Sequence, residues 1–452
     1  MPIKKGQEVL INIDNLLFPN VGISKNKDYE IRVKNTIPGQ KVKVLITKKK
    51  KDFFEGRLLK IIASSPLENQ PKCIHADECG GCNYQGIDYH NQLKLKEKQV
   101  KELLENNLPG DYIFHELVPS PEIKEYRNKM EFSFGDQEKD GDLQLGMHPR
   151  ARRFDVITVD QCQLVDVDFR LILSTVLNYF RNYDYKRYHI IKREGYLRHL
   201  LIRKGLKTGE LMVNLVTTSQ EEHDYTELTE VLKNLPLKGK LVSFLQTINN
   251  DYSDTIKSEK LIVHYGRKYI LEEILGLSFM ITPFAFFQPN TYGAEKLYET
   301  ALKFINNPAD KVIYDLYCGT GTITQILAKK AREVYGIEIN EEAVAIAREN
   351  ARINKLNNCK FIAGDVLEKI DELNEKPDLI VVDPPRPGIH ARALEKIINI
   401  APDELLYISC NPISLVRDLQ ILQEANYKLT NIQCVDMFPF TQHIETVVHL
   451  LK

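Results

Sequence analysis

Hydrophobic and polar positions change rhythm three times along the chain. Over residues 1–60, β-forming residues alternate or bunch in QEVLINIDNL, YEIRVKNTI, QKVKVLIT and FEGRLLKII, with Gly, Pro and Asn between them. That pattern predicts short strands, and so many in so short a stretch predict a small closed barrel of the OB type. Residues 65–92 are turn-rich and carry three cysteines, and helical spacing takes over at NQLKLKEKQVKELLENN (91–107). From about 111 to 270 strands and helices mix, with RNKMEFSFG, LQLGMHP, RHLLIRKG and ELMVNLVTT as predicted strands. Beyond 311, short apolar runs alternate with amphipathic helical segments: KVIYDLYC, EVYGIEI, CKFIAGD, DLIVVDPP, ELLYISC and VVHLLK. Near-continuous apolar strands separated by helices belong to a doubly wound α/β domain, whose largely parallel sheet is buried on both faces. The expected fold is therefore α/β at the C-terminus, α+β in the centre and a small β-barrel at the N-terminus. No internal repeat or low-complexity tract is visible.

Composition narrows this only a little. The 452 residues suggest roughly two to four domains. With 43% hydrophobic and 27% charged residues, the chain is of the folded kind. No apolar run approaches the ~20 residues that span a bilayer. The opening MPIKKGQEVLINID lacks a secretory pattern, so a cytoplasmic protein without membrane contact is expected. In that reducing setting the eight cysteines point to metal binding or catalysis rather than disulfides. The net charge of −1 argues neither for nor against nucleic acid, and the distribution of charge matters more. Lys48–Lys51 would decorate one face of the barrel, as an RNA contact or as a solvated hairpin tip. Arg127, Lys129, Arg150, Arg152, Arg153, Arg198 and Arg203 stand beside aromatics, a combination suited to RNA phosphates and bases.

The candidate chemistry lies at strand ends. Asp315-Leu316-Tyr317-Cys318-Gly319-Thr320-Gly321-Thr322 is a strand running into G-x-G and then a helix. Its glycines permit a tight turn close to a ligand. Thr324 stands where a dinucleotide fold would place a third glycine, so the loop is not built for a pyrophosphate. Glu338 ends the second strand, placed to accept from two ribose hydroxyls, and Asn340 is a plausible N-cap with Glu341 and Glu342 behind it. Asp365 ends the third strand, where it can meet an adenine amino group. This set resembles a class I S-adenosylmethionine methyltransferase, with an NAD-binding domain as the alternative.

The fourth strand ends in Asp383-Pro384-Pro385-Arg386. Amino-group methyltransferases carry an aromatic at the last of these positions, so Arg386 speaks against that chemistry. The fifth strand ends at Cys410, just before a helix beginning near Ser414. In open α/β sheets ligands sit at the carboxyl ends of strands, and a helix N-terminus favours a thiolate. Further on, Glu445 precedes or begins the last strand, flanked by Ile444, and partial desolvation there suits it to base work. The C5 carbon of a uracil is a poor nucleophile. A thiolate adding to C6 makes C5 enolate-like, so that it can take a methyl group. A base must then remove the C5 proton before the thiol leaves. Amino-group methylation needs no such pair.

ISCNP, HIETV, DPPRPG, DLYCGTGT and FFQPN (286–290) together resemble the RNA uracil-5-methyltransferase family, which acts on 23S ribosomal RNA and tRNA. The resemblance covers nearly the whole chain. It implies an RNA-binding TRAM barrel over 1–62, an RNA-binding central domain with a four-cysteine cluster site over 63–275, and an S-adenosylmethionine-dependent methyltransferase domain over 276–452. It implies Cys410 as nucleophile and Glu445 as general base. Gln288, Tyr317, Glu338, Asp365 and Asp383 are its implied S-adenosylmethionine ligands, whereas Thr322 stands where the family often has Asn and is left out. Cys73, Cys79, Cys82 and Cys162 are implied to hold a [4Fe–4S] cluster. Residue type alone leaves zinc open, since structural zinc also takes four thiolates. Cys318, Cys359 and Cys434 read as packing residues. The implied substrate is 23S ribosomal RNA with its target base flipped out, and tRNA is the alternative. An RNA cytosine-C5 methyltransferase fits less well, because those enzymes place Pro or Thr before the cysteine and Ser409 stands here. A non-catalytic RNA chaperone is the remaining reading, and a monomer is expected.

Overall fold

The computed structural model describes residues 3–452 except 28, 72, 140, 151, 153, 254, 257 and 374. Arg153 of the basic set therefore lies outside the described residues. The N-terminal strands curl into one sheet, ordered Glu8–Asn12, Lys41–Lys49, Phe54–Ala63, Glu30–Lys34, Val21–Lys25 and Asn15–Leu17. Along Lys41–Lys49 the period of two puts Val42, Val44 and Ile46 inside, against Ile11, Ile13, Ile31 and Val33. Each such side chain contributes about 1.5–3 kcal/mol by burial, so this core is small. The barrel gains further burial by docking: Leu16 and Ile37 pack on Tyr84, Ile87 and Leu95. Lys48–Lys51 are exposed at a hairpin tip, where the Lys50 amide donates to the Phe53 carbonyl.

The central sheet has seven strands, ordered Ile157–Thr158, Leu143–Met147, Lys129–Asp136, Leu197–Lys204, Glu210–Thr217, Lys240–Ile248 and Lys260–Gly266. The helices Val167–Arg181 and Thr226–Lys233 pack their apolar stripes on it through Phe169, Ile172, Val176, Phe180, Leu228 and Leu232. Two of the arginines expected to face RNA do not. Arg198 is buried, donating to the carbonyls of Asn249, Asp251 and Ser253. Arg203 is buried too and donates to Pro283 and Ala285. A buried guanidinium must satisfy its five donors locally, and these two tie loops down with them.

The C-terminal sheet has eight strands, ordered Cys359–Ala363, Glu333–Glu338, Val312–Leu316, Leu379–Val382, Glu404–Ser409, Glu445–Leu451, Lys428–Val435 and Ile113–Val118. The first five run parallel and Glu445–Leu451 runs against them. Its two faces bury separate cores, one around Tyr314, Ile380, Tyr407 and Leu419, the other around Ile313, Val381, Ile408 and Val447. Lys428–Val435 was not expected as a strand, because a bulge between Leu429 and Asn431 interrupts its alternation. The edge strand Ile113–Val118 comes from the stretch expected to be central, and pairs in parallel with Lys428–Val435. The helix Tyr89–Glu105, in place of the 91–107 expected from spacing, leads into that strand. Its Lys96 is buried and paired with buried Asp436 at 2.7 Å. Among the described residues, no helix is long and apolar enough to cross a membrane.

Candidate active site

Five parallel strands bring Tyr317, Glu338, Asp365, Asp383 and Cys410 to one edge of the sheet. The glycine loop carries three left-handed residues: Tyr317 at φ 68°, Gly319 at φ 55° and Gly321 at φ 77°. The Gly319 amide donates to Glu338 Oε2 at 3.1 Å, and the Asn340 amide donates to Oε1 at 2.9 Å. Glu338 thus fixes the loop against the second strand, with further lone pairs on both oxygens. Asn340 caps the helix Glu341–Ile353, accepting from the Ala343 amide at 3.0 Å. Asp365 caps the short helix Val366–Lys369, accepting from Leu367. Burial, then Asp365 and Asp418, push the half-buried Tyr317 hydroxyl up to about 12. Thr324, at the missing third-glycine position, donates its hydroxyl to Asp315 Oδ2 at 2.5 Å.

Cys410 and Glu445 meet through register. The antiparallel ladder ends with Ser409 against Thr446, which brings the next residues, Cys410 and Glu445, close enough for the Glu445 charge to act on the Cys410 thiol. Cys410 is followed by the helix Pro412–Glu424, which starts before the expected Ser414 because Asn411 caps it, accepting from the Ile413 amide. Asn411 and Ser414 also donate side-chain hydrogen bonds to the Arg386 carbonyl, at 2.9 and 3.0 Å. The DPPR exit is thereby held against the cysteine's helix. Four charged or ionisable groups share this corner. Burial, then Glu445 and Asp383, push the Cys410 thiol up to about 11, while Arg386 pulls it down. Burial, then Asp383, raises Glu445 well above the carboxyl range, again opposed by Arg386. Burial alone raises Asp383 to about 7. Several perturbed ionisable groups in one corner are a mark of functional sites.

Gln288 joins the corner from a distant segment. It is buried, it lies within hydrogen-bonding reach of the Tyr298 hydroxyl, and Tyr298 in turn feels Asp383 and Glu445. Asn128 holds the Gln288 carbonyl at 2.8 Å, and the Thr320 hydroxyl reaches the Phe286 carbonyl. The FFQPN segment so lies over the glycine loop. Tyr298 was not anticipated from sequence. It belongs to an apolar helical stripe with Ala294, Leu297 and Ala301, and such a stripe carries no sign that one hydroxyl reaches the site. In the sequence Arg386 shows only as a departure from the amino-group methyltransferases; its pull on Cys410 and Glu445 arises on folding.

The four remaining candidate ligands converge elsewhere. Cys73, Cys79, Cys82 and Cys162 all line one cavity of about 300 Å3, together with Arg127 and Pro289. Burial raises the thiols of Cys79, Cys82 and Cys162, with Cys82 pushed up to about 12; Arg150 opposes this at Cys79 and Arg127 at the other two. Arg150 also donates to the carbonyls of Cys79 and Cys82. Four thiolates around one ion would each lie ~2.3 Å from it. Among the described residues no three Cys, His, Asp or Glu side chains converge that tightly. Four soft thiolates lining one cavity are the donor type of both iron–sulfur clusters and structural zinc. Cys318 and Cys434 are buried, and Cys359 packs beside Phe361.

Comparison with known proteins agrees with this architecture. A family model described as tRNA (Uracil-5-)-methyltransferase matches residues 88–452. A Clostridium tetani protein named an uncharacterized RNA methyltransferase is 49% identical, over 100% of this chain and 99% of its own. A Clostridium acetobutylicum protein of the same description is 45% identical over 97% of this chain and 96% of its own. The crystal structure of Pyrococcus abyssi tRNA (uracil-54, C5)-methyltransferase in complex with S-adenosyl-L-homocysteine superposes with a TM-score of 0.76 at 27% identity. It covers 98% of this chain and 100% of that one. With the family match spanning residues 88–452, and relatives matching nearly end to end, this chain belongs to the tRNA (uracil-5-)-methyltransferase family, as an S-adenosylmethionine-dependent RNA methyltransferase.

Proposed function

We propose that the chain methylates C5 of a uridine in RNA, with Cys410 as nucleophile and Glu445 as base. The observation that supports this is the ladder end, Ser409 against Thr446, beyond which Cys410 lies within the influence of both Glu445 and Asp383. S-adenosylmethionine, when bound, supplies the methyl group on a positively charged sulfur. Gln288, Tyr317, Glu338, Asp365 and Asp383 are the residues that would hold it. Arg386 favours the Cys410 thiolate, whose sulfur forms a bond to C6 of the uracil as the C5=C6 electron pair becomes available at C5. Once C5 carries the methyl group, a deprotonated Glu445 takes the C5 proton. The electron pair of that C–H bond restores C5=C6 and expels the Cys410 sulfur. Reaching both faces of the pyrimidine requires the base to leave its stack.

The proposed substrate is 23S ribosomal RNA, which the N-terminal barrel and the four cysteines support through the family resemblance. A tRNA substrate is the second reading, favoured by the end-to-end likeness to the Pyrococcus abyssi enzyme, which is named for tRNA. Cys73, Cys79, Cys82 and Cys162 would hold a [4Fe–4S] cluster, whose negative charge Arg127 and Arg150 would balance. We further propose that the barrel is a TRAM domain, and that the enzyme works as a cytoplasmic monomer.

The test uses two variants. Cys410→Ala is expected to bind S-adenosylmethionine and methylate nothing. Glu445→Gln is expected to accumulate a denaturant-resistant protein–RNA adduct. Turnover by Cys410→Ala, or only dissociable RNA with Glu445→Gln, refutes the assignment. Mapping 5-methyluridine in 23S RNA and in tRNA, with and without the enzyme, separates the two substrates. Iron and sulfide content after anaerobic purification tests the cluster.

A further inference from the structure

One polar cavity plays no part in the chemistry above. It lies in the seam between the barrel and the cysteine loop and has a volume of about 500 Å3, within the ~300–1,000 Å3 of small-ligand pockets. The barrel contributes Asn20 and Asn35, the cysteine loop Asn83, and the turn after Leu143–Met147 contributes His148 and Arg150.

Asn20 is the telling residue. It is 3% exposed, and its side-chain oxygen is buried without a hydrogen-bond partner among the described residues. A buried acceptor left unmade costs about 1–3 kcal/mol, which a donor brought by a ligand would recover. Two further carboxamides line the same cavity: Asn83 Nδ2 reaches Asn35 Oδ1 only at 3.4 Å, a long contact that bridges barrel and cysteine loop. Carboxamides offer a donor beside an acceptor, the complement of a base edge. His148 adds a ring for stacking, held in place by its Nδ1–H donating to the Asp155 carbonyl at 2.9 Å. Arg150 adds a cation fixed at the lip by its bonds to Cys79 and Cys82.

The approach to the cavity has the same character. Ile61 lines it, on a strand, Phe54–Ala63, whose Arg57, Leu59, Lys60 and Ile62 are also exposed. Apolar side chains interleaved with cations suit a single-stranded nucleic acid. The far wall leads to the catalytic corner: the amides of Asn83 and Tyr84 both donate to the Phe440 carbonyl at 3.0 Å, and Phe440 lies shortly before Glu445.

We propose that this cavity takes one unpaired base of the substrate RNA other than the methylated uridine, and that this base carries an exocyclic amine, the donor Asn20 lacks. The proposal rests on the RNA-methylation reading for its substrate. The test is an abasic scan. A 23S RNA fragment or tRNA transcript that the wild-type enzyme methylates is made with single abasic sites at each unpaired position around the target. Asn20→Gly removes the side chain while keeping the left-handed backbone, φ 78°, that glycine accepts without strain. Asn83→Ala truncates the opposite wall. One position is expected where an abasic site raises the wild-type KM for RNA about tenfold, the size of one base-edge pair. At that position the abasic site should cost Asn20→Gly and Asn83→Ala nothing further, while kcat and the Kd for S-adenosylmethionine stay at wild-type values. Abasic and side-chain effects that multiply at every position, or wild-type KM in both variants, overturn the pocket. If the wild-type enzyme methylates neither RNA, the uridine reading falls instead, and the same scan is read by direct RNA binding of the 23S fragment.

Discussion

Replacing Glu445 by Gln takes one ionisable group out of the corner that holds Cys410 while keeping its shape. The thiol is held at about 11, against 9.0 for an unperturbed one, by burial first and then by Glu445 and Asp383. At pH 8 a thiol at 11 is about one part in a thousand thiolate, and one at 9.0 about one part in ten. Iodoacetamide reacts with the thiolate. In the free enzyme Cys410 should therefore be alkylated about a hundredfold more slowly at pH 8 than an open thiol, its rate climbing about tenfold per pH unit to near pH 11. The Glu445 charge opposes thiolate formation, so the Gln variant should titrate lower. Each pKa unit regained is worth about 1.4 kcal/mol and a tenfold faster reaction at pH 8. The assay is mass-spectrometric quantification of the alkylated peptide that contains Cys410, with Cys410→Ala as blank. A wild-type rate that levels off below pH 9, or a Glu445→Gln enzyme alkylated no faster at pH 8, refutes this account of the corner.

Other expectations follow from the same structure. In Gly321→Ala the new methyl would sit 2.6 Å from Phe361 Cε1 and 3.0 Å from Ala347 Cβ at φ +77°, so urea unfolding should show a loss of about 2–4 kcal/mol. Gly319→Ala, at φ +55° with nothing within 4 Å, should lose only about 1 kcal/mol of backbone strain. Lys96→Met leaves Asp436 charged and unpaired inside, at a cost of about 3–5 kcal/mol, most of which the double variant Lys96→Met/Asp436→Leu should recover. Burial raises Asp315 from 3.8 to about 7. The native state keeps a proton there that the unfolded chain has lost, so stability falls as pH rises from about 4 to about 7 and is flat above. Asp383, raised likewise, adds to that fall, so Asp315→Asn should shrink the stability difference between pH 4 and pH 8 by its own share, on the order of 3–4 kcal/mol, in unfolding curves at the two pH values.

Much of this was legible along the chain, because the signals are local. Buried parallel strands read as unbroken apolar runs, so Val312–Leu316, Leu379–Val382 and Glu404–Ser409 stood out, and with them the residues at their tips. Asn340 as a cap and Thr324 as a departure from a dinucleotide loop were equally local facts. What a linear pattern could not carry was pairing between distant segments. Ile113–Val118 completes the catalytic sheet beside Lys428–Val435, and Lys96 finds Asp436 across the same junction. Arg198 and Arg203 looked like RNA contacts because charge in a strand usually faces solvent, yet both are buried on loop carbonyls. Tyr298 looked like core alone, yet its hydroxyl feels Asp383 and Glu445. By itself the sequence determined which residue types stand at which strand ends, since apolar periodicity and turn chemistry act over a few neighbours. Only the tertiary structure decided that Cys410 feels Glu445, that Arg386 opposes the shifts of both and that four cysteines share one cavity. Register, burial and charge are sums over atoms that the chain brings together only on folding.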